Sequence, residues 1–115
     1  MDIHNELLES LENCVKACNY CAASCLDEEN VQPMTDCIKL DLDCADSCHL
    51  ALKLLVRNIT PAVSIIEFCK EICAECAAEC EKHDHDHCQQ CAKACRRCED
   101  QCNKYLDRIA NADTV

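Results

Sequence analysis

The chain has 115 residues, with 16 cysteines, two prolines, no glycine and a formal net charge of −11. This acidic balance argues against nucleic-acid binding, which requires basic patches. The cysteine content would suit a disulfide scaffold, but such folds are rich in loops and turn residues, and a chain without glycine favours long helices instead.

The length predicts a single domain over residues 1–115 with a modest core. The N-terminal stretch MDIHNELLESLENC is acidic and lacks the basic and apolar regions of a signal peptide. No apolar run reaches the length of a membrane span. We therefore expect a cytosolic protein that does not enter a membrane, in a compartment where dense cysteine more often indicates metal binding than disulfides.

Four helices are predicted, over about residues 3–26, 33–58, 61–82 and 86–110. The second begins near Pro33, because proline lacks the N–H that a first helical turn leaves unsatisfied. It ends near Asn58, where asparagine replaces the missing glycine as a terminator.

Local signals also mark the starts of the last two helices. Thr60 is the predicted N-cap of the third helix, with Pro61 at its first position. Asp86 is the predicted N-cap of the fourth, and Gln89 completes a capping box. Because the links are short, we expect an all-α fold, an antiparallel up-down-up-down four-helix bundle.

The cysteines fall into four blocks, one in each predicted helix, with steps of three, four or seven residues. Side chains three and four apart lie on one face of a helix, so each block forms a stripe of sulfur. We therefore expect a cysteine-lined core. The blocks are Cys14, Cys18, Cys21 and Cys25; Cys37, Cys44 and Cys48; Cys69, Cys73, Cys76 and Cys80; and Cys88, Cys91, Cys95, Cys98 and Cys102.

The stripes have the spacing of heptad core positions, and they continue beyond the cysteines. Sulfur lies late in helices one and three and early in helices two and four, so the antiparallel topology brings all four stripes to one end. The sequence thus predicts a thiol-lined core about 20 Å long. Apolar residues close the other end: Leu7, Leu11, Leu55, Ile66 and Ile109.

This pattern points to a soft metal ion, because thiolates select Cu(I), Zn(II) or iron–sulfur clusters. Structural zinc sites and iron–sulfur clusters usually take their cysteines from loops or turns, which this pattern lacks. Cu(I) accepts about two or three soft ligands and tolerates bridging thiolates, so continuous stripes suit roughly one ion per thiolate. Cysteine also packs as a small apolar residue, but that role does not account for four matched stripes.

Histidine and methionine residues lie at the predicted sulfur end. Imidazole and thioether both bind copper, so Met34, His83 and His87 are candidate ligands of an entry port. His83 continues the third stripe and is the best candidate, whereas His85 is the weakest. The alternative is a solvated polar turn. His49 is expected to be an ordinary surface residue.

Asp41 lies on the stripe of helix two, between Cys37 and Cys44. A buried carboxylate is costly unless it is paired, so Asp41 would bind a cation or a histidine at the mouth. Alternatively, a small rotation of the helix would expose Asp41 and turn Leu40 inward. Both interpretations remain open at this point.

Helices two and three carry apolar residues outside the sulfur stripes. These residues either pack between helices or form a contact between subunits, and we expect a homo-oligomer. They are Ile38, Leu42, Ala45, Leu52, Val56, Ile65, Phe68 and Ile72.

The segments CVKACNYCAASC, CKEICAECAAEC and HDHDHCQQCAKACRRCEDQC resemble the bacterial copper storage proteins, a family of four-helix bundles with cysteine-filled cores. The resemblance extends from Cys14 to Cys102. It implies Cu(I) storage with thiolates of all four helices as ligands. It also implies a histidine or methionine near the open end, which Met34, His83 and His87 match, and a cytosolic protein that can assemble as a tetramer.

The functional hypothesis is therefore cytosolic Cu(I) storage or sequestration, with many ions per chain and no enzymatic activity. Helix two departs from the family pattern, with Leu40 and Asp41 where another cysteine would be expected. The expected partners are copper ions and the proteins that donate or accept them. The alternatives are a metallothionein-like zinc or cadmium buffer and a thiol redox sensor or scavenger. The candidate ligands are all sixteen cysteines, Met34, His83 and His87.

Overall fold

The computed structural model describes residues 2–58 and 62–113, with side chains described for 5–58 and 62–111. It contains four α-helices: α1 (Asp2–Leu26), α2 (Thr35–Val56), α3 (Val63–Cys80) and α4 (Asp86–Asp113). A 3-10 turn, Gln32–Met34, precedes α2. The described residues contain no strand, so the predicted all-α class is confirmed.

Each helix packs against two others, and the four close into a ring. α1 contacts α2 and α4, and α3 contacts α2 and α4. Every pair of helices that follow each other in the chain is therefore in contact, as short connections require. This arrangement is the predicted four-helix bundle.

The cysteine stripes all face the interior of the ring. All sixteen thiol side chains have 0% exposure, so the heptad spacing identified the inner face of every helix. Beyond the sulfur lie Leu7, Leu11 and Ile66, which are fully buried, and Leu55, which is almost buried. Ile109 is only partly buried against this cluster. The predicted apolar end is therefore present, with Ile109 at its margin.

The helix ends follow the sequence signals only in part. Asn58 has a φ of 63°, the left-handed conformation expected of an asparagine that ends a helix. The predicted N-cap Thr60 and the predicted first helical residue Pro61 lie outside the described residues. α4 begins at Asp86 itself, and the Gln89 amide donates 2.7 Å to the carbonyl of His83. The predicted capping box is wrong because Gln89 bonds to the preceding turn.

A tyrosine connects α4 to the start of α3 at the apolar end. The hydroxyl of Tyr105, which is 2% exposed, accepts a hydrogen bond of 3.0 Å from the N–H of Ala62. The first N–H groups of a helix have no partner within the helix, and a buried one must find a partner elsewhere. Tyr105 therefore both fills the apolar end and satisfies the backbone at the beginning of α3.

We expect Tyr105→Phe to lower the free energy of unfolding of the reduced apo protein by about 1–3 kcal/mol, because the buried N–H of Ala62 loses its acceptor. Denaturant unfolding followed by circular dichroism measures the loss. Tyr20→Phe is the matched control, since Tyr20 is 68% exposed. Equal stability of the two variants would contradict this role of the Tyr105 hydroxyl.

Candidate metal centre

Facing helices bring their thiols into direct contact along the core. Sγ–Sγ distances across helices include 3.3 Å for Cys48–Cys69, 3.5 Å for Cys37–Cys80 and 3.6 Å for Cys14–Cys44. All the cysteines are free thiols. Separations of this size allow one small ion to contact sulfurs of two or three helices at once.

The thiols form overlapping groups in which four ligand atoms lie within 4.8 Å of one another. Because neighbouring groups share members, the sulfur core is continuous and does not divide into separate four-ligand sites. This arrangement suits bridging thiolates and differs from the closed site of a structural zinc ion. Four all-cysteine groups are Cys14, Cys44, Cys48 and Cys73; Cys14, Cys18, Cys44 and Cys95; Cys18, Cys76, Cys91 and Cys95; and Cys48, Cys69, Cys73 and Cys98.

Asp41 lies inside the core, with 0% exposure, and is surrounded by thiols. Its Oδ1 accepts hydrogen bonds from Cys76 at 3.2 Å, Cys91 at 3.3 Å and Cys80 at 3.6 Å. Leu40 is only partly buried, so the alternative rotation of α2 is wrong. Burial raises the pKa of Asp41 to about 8. The group is therefore mostly neutral at pH 7.

A mixed group of thiols and imidazole lies at the sulfur end, which we call the mouth. The Nδ1 atom of His87 lies 3.5 Å from Sγ of Cys21, 3.5 Å from Sγ of Cys88 and 3.9 Å from Sγ of Cys25. On the other edge of the ring, Nε2 of His87 donates to Oε2 of Glu28 at 2.8 Å. Cys21, Cys25, Cys88 and His87 together form a compact group able to hold a metal ion.

The other candidates at the mouth lie differently. His83 is partly buried in the turn after α3, and its Nε2 lies 2.9 Å from Oε2 of Glu79 near the end of that helix. Met34 is buried, with 2% exposure, in the core cluster. His49 is exposed, as expected. His87 is thus the histidine that contacts thiols at the mouth, although the periodicity of α3 favoured His83.

Burial holds two of the thiols at the mouth in their protonated form. It raises the pKa of Cys25 to about 12. The pKa of Cys88 is also raised, mainly by burial. Because the thiolate is the form that binds metal, an ion that enters here must displace thiol protons.

Sequence reasoning missed the acidic partners of the mouth histidines. Glu79 lies four residues before His83, a helical spacing that a search for i,i+4 pairs would have found. Glu28 lies beyond the end of α1, where helical periodicity gives no information. The buried hydroxyls of Ser10 and Ser47 were also missed; they donate to the carbonyls of Leu7 and Cys44, three residues earlier.

The fold and this centre define a four-helix bundle whose core is a continuous body of cysteine thiols. The sequence profile described as Csp, copper storage protein, matches residues 1–107 of the chain. The chain belongs to this copper storage protein family.

Individual relatives agree with the family assignment. The uncharacterized cysteine-rich protein YhjQ of Bacillus subtilis (strain 168) is 46% identical over 95 residues, which cover 83% of this chain and 88% of YhjQ. The Cu(I)-bound copper storage protein BsCsp3 is similar with a TM-score of 0.87 and 42% identity, over 90% of this chain and 98% of that one.

A third similar structure is that of a cytosolic copper storage protein from Streptomyces lividans with five coppers. It has a TM-score of 0.86 and 36% identity, over 92% of this chain and 93% of that one. Among the described residues of the present chain, no helix is long and apolar enough to cross a membrane.

We expect Asp41→Asn to flatten the dependence of apo-protein stability on pH. The pKa of Asp41 rises from its ordinary 3.8 to about 8 on folding, so the folded chain holds this proton more tightly than the unfolded chain. The stabilisation from this proton is complete below about pH 4 and is lost as the pH rises towards 8. The free energy of unfolding should fall by an amount on the order of several kcal/mol over this range.

Denaturant unfolding of the reduced apo protein between about pH 4.5 and 7.5 measures this change, below the range in which exposed thiols ionise. Asp43→Asn is the control, because Asp43 is an exposed residue of the same helix. If Asp41→Asn and the wild type lose stability in parallel over this range, Asp41 is not the group responsible.

Proposed function

We propose that this chain stores or sequesters Cu(I), binding many ions per chain inside the bundle. The observation that carries the proposal is the continuous body of sixteen buried thiols, in which neighbouring ligand groups share sulfurs. The Cu(I)-bound state of BsCsp3 and the five coppers of the Streptomyces lividans protein support it.

The proposed ligands are the sixteen cysteines together with His87, and Met34 and His83 act at the entrance. His87 is included because its Nδ1 faces three sulfurs of the mouth. Met34 and His83 are included because they lie in or beside the buried cluster at the same end. Ions would enter at the mouth, since the opposite end is filled with hydrocarbon.

Charge balance in the core favours a monovalent ion. A Cu⁺ that replaces one thiol proton leaves the buried site neutral, so loading with one ion per thiolate adds no net charge to the core. A closed four-thiolate zinc site would carry about two uncompensated negative charges. The buried polar residues of the described part are Ser10, Asp41, Ser47 and Gln101, none of them cationic. The core thus offers no cation to balance that charge, and burying it is costly.

We further propose that the protein is a cytosolic storage domain spanning residues 1–115 and is not an enzyme. The cytosolic description of the Streptomyces lividans relative and the free thiols of this chain support that location. The storage role of the family supports a non-enzymatic function. The zinc or cadmium buffer and the thiol redox sensor are less well supported, because the family is defined by copper storage.

The outer face of α2 and α3 supports the proposal of a homo-oligomer. A surface cavity of about 320 Å³ between these helices is lined by Leu50, Ile65, Phe68 and Ile72, together with Asp43, Asp46 and Ser47. Phe68 is 50% exposed and Leu50 is 47% exposed. Contiguous exposed apolar surface of this kind commonly marks an interface, and we propose a second copy of the chain as its partner.

The copper capacity should approach about sixteen ions per chain, because bridging allows about one Cu(I) per thiolate. An anaerobic Cu(I) titration against a competing chelator measures it. Replacing Cys18, Cys44, Cys76 and Cys95 by Ser should lower the capacity by at least about four ions on the same count. Saturation near about four ions, with Zn(II) displacing Cu(I), would instead indicate closed four-thiolate sites and overturn the copper proposal.

The homo-oligomer should dissociate when its apolar face receives a charge. Phe68→Asp places a carboxylate at the centre of this face, where its desolvation on association is costly. Light scattering coupled to size exclusion should give a multiple of the chain mass for the wild type and a smaller species for the variant. Tyr20→Asp is the control, since Tyr20 is exposed on α1. A monomeric wild type would refute the interface.

A further inference from the structure

We infer that Glu28 is a positioning residue that orients the His87 imidazole, so that its Nδ1 lone pair faces the thiols of the mouth. This inference rests on the proposed Cu(I) function. It places the first binding site of the ion at His87, Cys21, Cys25 and Cys88. Glu28 itself does not contact the ion. It acts through the histidine ring.

The hydrogen bond between Glu28 and His87 selects one tautomer of the ring. An ionised carboxylate can only accept, so Nε2 of His87 must carry the proton in the 2.8 Å contact with Oε2. In the neutral ring, Nδ1 is therefore unprotonated, and it is the atom that lies 3.5 Å from Cys21 and from Cys88.

Neighbouring contacts hold both members of this pair in place. The backbone N–H of Glu28 donates to the carbonyl of Cys25 at 3.2 Å, in a turn that directly follows α1. The ring of His85 stacks on His87 with centroids 5.3 Å apart and planes 5° from parallel. His85 Nδ1 also lies 3.5 Å from Oε2 of Glu28. The carboxylate thus connects the end of α1 to the start of α4.

Glu79 and Glu28 each pair with a histidine at the mouth, but they differ in which parts of the chain their pairs connect. Glu79 and His83 belong to one stretch of chain around the end of α3, so their contact does not fix one element against another. Glu28 and His87 belong to different elements, and their pair determines which edge of the ring faces the sulfur. A carboxylate partner also raises the basicity of the ligating nitrogen, an effect that commonly accounts for about 10–100-fold in metal affinity.

The tautomer can be tested on the apo protein without copper. Two-dimensional ¹⁵N NMR of the imidazole at about pH 7.5, where an ordinary histidine is mostly neutral, should give the Nε2–H form of His87 in the wild type. Glu28→Ala should produce a mixture of tautomers. Glu28→Gln should restore the Nε2–H form, because its amide oxygen still accepts a hydrogen bond. An unchanged tautomer in Glu28→Ala would overturn the inference.

The effect on copper can be measured separately for the first ion and for the total. Under a competing chelator, Glu28→Ala should weaken binding of the first Cu(I) equivalent by about 10-fold or more, while the total capacity changes by about one ion at most. Glu81→Ala is the matched control. It removes the same charge at the same end of the bundle, from a residue that pairs with Arg96.

A double-mutant cycle isolates the action through the ring. In a His87→Ala background, Glu28→Ala should have no further effect on the first equivalent. A loss that persists in that background, or an equal loss in Glu81→Ala, would show that Glu28 acts only through its charge. A low total capacity in the wild type would instead count against the proposed function, while the tautomer measurement would remain decisive for Glu28.

Discussion

Contact between the thiols of facing helices is the interaction on which the rest of the structure depends. Sulfur atoms of α1, α2, α3 and α4 lie between 3.3 and 4.0 Å apart along the core. A neutral thiol is small and only weakly polar, so it packs as an apolar group while the core is unloaded. Each thiol nevertheless buries less surface than a leucine and therefore stabilises the fold less. The hydrocarbon end, with Leu7, Leu11, Ile66 and Tyr105, compensates for that deficit.

The two ends of the bundle are consequently held together by different interactions. At the mouth, polar contacts are added to the packing of the buried thiols. Glu28 bonds to His87, the Gln89 amide bonds to the carbonyl of His83, and Arg96 makes two contacts with Glu81, of 2.8 and 3.0 Å. The Arg96–Glu81 pair is exposed and contributes little, so the bonds of Glu28 and Gln89 are the contacts that hold the turn between α3 and α4. These defined positions suit the entry of ions proposed for this end.

Helical periodicity predicted the inner face of each helix but not the polar detail of the mouth. The three- and four-residue steps placed all sixteen cysteines correctly because burial of one face dominates the packing of a bundle. Whether Asp41 or Leu40 faces the core depended on a small rotation of α2 about its axis. The spacing of the cysteines does not determine that rotation. The contact of His87 with the thiols, and its pairing with Glu28, arise where two turns meet. Such contacts leave no periodic signal in the sequence.

Charge neutrality connects the fold of the empty bundle with the chemistry proposed for it. The pKa of Cys25 is raised to about 12 and that of Asp41 to about 8, so these buried groups keep their protons at neutral pH. Neutral Asp41 can therefore be buried among the thiols, where the burial of a charged carboxylate would cost free energy. The formal net charge of −11 counts Asp41 as ionised, and the other acidic residues among those described are not buried, so water solvates the rest of this charge. Where a buried thiol is protonated, exchange of its proton for a monovalent ion leaves the charge of the site unchanged, so loading of this kind adds no net charge to the core.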